Sequence, residues 1–162
     1  MSRAPEFASP TTTRMELMRS ETFPFHERFA ADVSPLGPIA YFSAGEPTGQ
    51  PDIVLLHALG MNYTEWEYVA PELARHSRVI GLDMPGCGHS VHPSRPYGMA
   101  EICDAVWQLV QKLELKNPIL VGHSFGGRVA LCGDFRAARV RVLCLRRHAA
   151  RDPRRARDAE PG

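Results

Sequence analysis

Between Met99 and Leu113 apolar residues recur at steps of three and four: Met99, Ile102, Cys103, Val106, Leu109, Val110 and Leu113. That spacing predicts an amphipathic helix with one buried face. Other stretches are apolar almost without interruption, at 52–57, 79–82 and 118–122, and each closes on a glycine-punctuated turn, the pattern of strands buried on both faces. Between the first two, Trp66, Val69, Ala70 and Leu73 sit at helical steps, predicting a helix within 62–76 despite Pro71. Upstream, β-prone segments at 23–29 and 39–44 flank the turn sequence 34–38 and predict an antiparallel pair. Strand, helix, strand, helix, strand in alternation argues for an α/β fold, a mostly parallel sheet with flanking helices. The core is expected over 23–131, after a flexible leader at 1–22 and before an arginine-rich tail at 132–162.

Composition changes this picture mainly at the tail. With 162 residues and 44% hydrophobic content the chain suffices for one domain. The net charge of +1 hides a split, because residues 135–162 hold nine arginines against three acidic residues. Two readings of the tail stand: residues 139–145 (Arg-Val-Arg-Val-Leu-Cys-Leu) form a further strand, or the reading frame is lost near Cys132. The tail has no aromatic interleaving, so a solvated segment is expected rather than a nucleic-acid partner. No apolar run approaches the roughly 18–20 residues that cross a bilayer, and the N-terminus has no apolar signal core, so no membrane partner and a cytoplasmic location are expected. Cys87, Cys103, Cys132 and Cys144 show no C-x-x-C spacing and no histidine pattern, which reads as reduced thiols and no metal site.

The chemistry centres on Gly122-His123-Ser124-Phe125-Gly126, which fits G-x-S-x-G at the end of a predicted strand. Such a turn holds a serine hydroxyl out for attack, and glycines two positions either side avoid collision. Upstream, His57-Ala58-Leu59-Gly60 follows the first buried strand, and Asp83-Met84-Pro85-Gly86-Cys87-Gly88-His89-Ser90 follows the second. In this order the segments resemble the α/β-hydrolase superfamily, with its H-G-x-x loop, D-x-x-G-x-G-x-S loop and G-x-S-x-G turn. Trp66 and Asp104 also stand where that family has such residues, whereas Ala58 replaces its usual glycine. The resemblance covers residues 25–131 and implies the N-terminal part of that fold, truncated after the nucleophile region.

It also implies Ser124 as nucleophile, the turn residues Gly122, His123 and Gly126 around it, and the backbone N–H groups of Leu59 and Phe125 as an oxyanion hole. The substrate would be a small-molecule ester or acyl compound, with no metal or organic cofactor. Aspartate-nucleophile relatives are disfavoured by the serine at 124; esterases, C–C bond hydrolases and perhydrolases remain open. In this family the acid and histidine follow the serine. Only His148 does so here, among Asp134, Asp152, Asp158 and Glu160, and its surroundings do not resemble the family's histidine loop. His57 and His123 read as structural parts of their loops, and Asp83 as the anchor of the 86–90 loop. The chain is therefore expected to be inactive as written. The alternative is a non-catalytic fragment or an interaction protein with a basic tail.

Overall fold

The computed structural model describes residues 28–32, 35–132 and 141–145. The flexible leader, residues 23–27 of the first β-prone segment, His148 and most of the tail lie outside them. Six strands form one mixed sheet in the order β1-β2-β4-β3-β5-β6: β1 Arg28–Asp32, β2 Pro38–Ala44, β3 Ile53–Leu56, β4 Val79–Leu82, β5 Ile119–His123 and β6 Arg141–Leu145. β1 and β2 pair antiparallel, as do β2 and β4, while β3 pairs parallel with both β4 and β5, and β5 with β6. Where the first β-prone segment was expected at 23–29, the strand runs from Arg28 to Asp32.

The central strands β3 and β4 are buried at every position, which explains their unbroken apolar sequence. Their side chains alternate between two cores. Val54 and Leu56 face Val106, Leu109 and Val129 on one side, and Ile53 and Leu55 face Tyr63, Trp66 and Ala70 on the other. The first core is covered by α2 (Met99–Lys112), whose buried residues Ile102, Cys103, Val106, Leu109 and Val110 are the periodic set. Its start is fixed by Glu101, which accepts the Gly98 N–H at 3.1 Å and pairs with Arg95 at 2.6 Å. Both bonds favour the carboxylate, the Arg95 one most, and hold Glu101 below its ordinary pKa.

The single helix expected within 62–76 does not form. A 3-10 turn spans Tyr63–Trp66, and α1 is one turn long, Ala70–Leu73. Pro71 has no N–H to donate and falls in the first turn of α1, where that donor has no intrahelical partner to lose. The 3-10 turn is closed by Asn62, whose side chain accepts from the Thr64 N–H at 2.9 Å and its hydroxyl at 2.6 Å. α3 (Phe125–Cys132) packs between β5, β6 and α2.

Candidate active site

Three loops leave the same edge of the sheet, after β3, β4 and β5, and side chains tie them to one another. Ser124 joins β5 to α3 with φ of +50°, a left-handed conformation that costs a non-glycine residue about 1–3 kcal/mol, and it is exposed. Surroundings hold it there: its N–H donates to the Leu145 carbonyl of β6 at 3.1 Å, and its carbonyl accepts the Arg128 N–H at 3.3 Å. The flanking glycines are required by close backbone contact. A methyl at Gly122 would lie 2.4 Å from Gly126 C and Gly127 N, and one at Gly126 would lie 2.1 Å from the Leu56 carbonyl oxygen. Without side chains here, the first turn of α3 presses against the ends of β5 and β3.

The loop after β3 turns tightly over Ala58, Leu59, Gly60 and Met61, closed by the Met61 N–H on the Ala58 carbonyl at 3.1 Å. Gly60 supplies the left-handed residue at φ +76°, so Ala58 need not. The strain that glycine's absence at 58 would have brought does not arise. Leu59 is 71% exposed at the apex of this turn.

Glu65, which the sequence did not single out, joins this turn to the serine turn. One carboxylate oxygen accepts the Ala58 N–H at 2.8 Å, and the other accepts Nδ1–H of His123 at 2.5 Å. A charged acceptor on both partners makes these strong bonds. The only signal available in the sequence was its place beside Trp66, seven residues after Ala58. The Trp66 indole is buried, and its Nε1 has no partner among the described residues. Asp104 is exposed on α2.

His57 is fully buried and fixed in one tautomer. The Ala58 carbonyl can only accept, so Nδ1 carries the hydrogen (2.8 Å); the Met84 N–H can only donate, so Nε2 is bare (3.0 Å). Burial lowers its pKa from the ordinary value, against smaller raising effects of the Ala58 bond, Asp83 and Glu65. An imidazole harder to protonate in the native than in the unfolded chain costs nothing above about pH 6.5, and costs stability as the pH falls below it. Urea midpoints measured from about pH 7.5 down to about pH 5.5, the imidazole range, should fall, and fall less steeply in His57→Gln.

Asp83 is also fully buried, its oxygens accepting the Tyr63 N–H and the His89 N–H at 2.7 Å each. Ser90 extends the tie, donating to the Asp83 carbonyl at 2.5 Å and accepting the Ala40 N–H at 2.8 Å. Both side chains act as anchors for the loop after β4.

The geometry thus sets an exposed serine at a strained strand-to-helix turn, beside a second tight turn tied to it by a carboxylate. A family model of the alpha/beta hydrolase fold matches residues 51–132, half of the chain. The chain belongs to the α/β-hydrolase family. This α/β hydrolase is 40% identical over 111 residues to the 2-hydroxy-6-oxo-2,4-heptadienoate hydrolase of Pseudomonas putida, a match covering 63% of this chain and 37% of that one. It is 41% identical over 80 residues to the pimeloyl-(acyl-carrier protein) methyl ester esterase of Vibrio vulnificus, covering 49% and 29%. The enol-lactonase from Burkholderia xenovorans LB400 superposes with a TM-score of 0.63 at 32% identity, over 70% of this chain and 44% of that one. In each case the match spans less than half of the relative's own length. No helix among the described residues is long and apolar enough to cross a membrane.

Proposed function

We propose that this α/β hydrolase carries the nucleophile and oxyanion half of an acyl-hydrolase site acting on a small-molecule ester or lactone. Ser124 is the nucleophile, and the N–H groups of Leu59 and Phe125 receive the charge that develops on the attacked carbonyl oxygen. Donors held ready for that charge are worth about 2.7–4 kcal/mol each in transition-state stabilisation. The observation that carries this reading is Ser124 itself, exposed at φ +50° where β5 meets α3. Relatives named as an esterase and a hydrolase support the ester and acyl class. A serine needs a base to lose its proton, and neither His57 nor His123 is free to serve: one is locked between Ala58 and Met84, the other is bound to Glu65.

Two measurements test it. Hydrolysis of p-nitrophenyl acetate should differ little between the chain and Ser124→Ala, because a serine whose neighbouring histidines are held by other partners loses most of its catalytic power. Prolonged incubation with a fluorophosphonate should still place its adduct on Ser124, and mass spectrometry showing it spread over other serines would refute the nucleophile assignment. A serine-dependent rate like that of a complete esterase would instead make His148 the base and refute the inactivity. One observation favours the second reading, a non-catalytic piece that engages a partner: Leu143 and Leu145 are 52% and 41% exposed on β6, the outermost strand on that side among the described residues.

A further inference from the structure

We propose that Cys103 and Cys132 form a reversible disulfide site joining α2 to α3, oxidised by a low-molecular-weight disulfide such as oxidised glutathione. Cys103 lies on the buried face of α2, and its thiol donates to the Val129 carbonyl of α3 at 3.6 Å. Cys132 stands three residues beyond Val129, on the same side of α3, and is exposed. The carbonyl that the Cys103 thiol reaches thus lies within one turn of Cys132 on α3. The remaining cysteines are held elsewhere: Cys144 Sγ donates to the Gly127 carbonyl at 3.4 Å, and Cys87 Sγ accepts the Gly60 N–H.

The different surroundings of the pair set the order of events. Burial above all, then the neighbouring Cys132 and Asp104, pushes the Cys103 thiol up to about 11, so it is the slower of the two to ionise and does not make the first attack. Cys132 is the thiol a solute reaches. Its thiolate sulfur attacks one sulfur of the small disulfide, breaking that S–S bond and releasing one small thiolate, which takes up a proton. Cys103 then gives its proton to solvent, and its sulfur attacks Cys132 Sγ, expelling the second small thiol. Two cysteine thiols are oxidised, and one small disulfide is reduced to two thiols. The bond would clamp to α2 the helix whose first residue follows Ser124.

The test uses the full chain, reduced, freed of reductant, and incubated with oxidised glutathione in buffer and in urea. Unreduced peptide digests are then read by mass spectrometry. In buffer the Cys103–Cys132 peptide should exceed every other pairing at least about tenfold, as an intramolecular second step requires, and in urea that preference should vanish. Cys132→Ser should leave Cys103 unmodified in buffer, whereas Cys144→Ser and Cys87→Ser should leave the link intact. Stable glutathionylation of Cys132 without closure, or the same mixture of pairings in buffer as in urea, would overturn the proposal. In a Cys132→Ser chain that has lost its fold, shown by circular dichroism, the wild-type comparison between buffer and urea decides alone.

Discussion

Gly126→Ala is expected to cost about 3 kcal/mol or more, the upper end for forcing a methyl into packed surroundings. The added carbon would sit 2.1 Å from the Leu56 carbonyl oxygen and 2.7 Å from that of His57. Both are main-chain atoms of β3 and its loop, so no side chain can swing aside. α3 must lift from β3, and the Ser124 turn moves with it. Gly122→Ala should behave alike, since its methyl meets the backbone of Gly126 and Gly127. Gly98→Ala is the control: nothing lies within 4 Å of its added carbon, and only a helix cap is altered, worth about 1 kcal/mol. Urea denaturation of the three variants measures the difference, and equal losses at 98 and 126 would contradict the close contact.

Asp52→Ala is expected to cost about 3–5 kcal/mol, the usual loss when one member of a buried ion pair is removed. Asp52 is 2% exposed and grips Arg78 with two parallel bonds, Oδ1 to Nε at 3.0 Å and Oδ2 to Nη2 at 2.8 Å. The same Oδ2 accepts the Lys116 N–H at 2.5 Å. The carboxylate therefore holds together the segments that lead into β3, β4 and β5 at the edge opposite the loops that follow those strands. Its loss strands a guanidinium and an amide with little water to replace it. The Arg78 side chain retains 22% exposure, which places the expected value toward the lower end of that range. A double variant, Asp52→Ala with Arg78→Met, should recover part of the loss, and the urea midpoints of the four-member cycle give the coupling. Strict additivity would mean that the pair contributes nothing.

These contacts also show which parts of the molecule were legible from residues alone. The helix at Met99–Lys112 was, because one side of a cylinder had to be apolar and the sequence repeats at that period. So were β3, β4 and β5, where burial on both faces demands unbroken apolar runs. That same demand hides the strand order: nothing in Val79–Leu82 says that β4 lies between β2 and β3, since both faces of each strand look alike. The resemblance supplied the serine turn, and close backbone packing explains its glycines. The helix expected within 62–76 failed because periodicity ignores the missing donor of Pro71. Glu65 was invisible for another reason. Its partners, Ala58 and His123, are 7 and 58 residues away, and no local pattern encodes a bond across that distance.

The bonds around Glu65 and Asp83 close a ring. Ala58 is tied to Glu65, Tyr63 two residues before Glu65 to Asp83, and Met84 next to Asp83 back to His57 beside Ala58, while His123 hangs on the ring through Glu65 and His89 through Asp83. In a ring of this kind no joint opens independently, because letting go at one point still leaves each segment tethered at another. The loops after β3 and β4 therefore loosen together or not at all, as one cooperative patch, and the serine turn is attached to that patch through the Glu65–His123 bond. Rigidity beside the serine is thus a collective property of this edge of the sheet, shared among residues far from it along the chain.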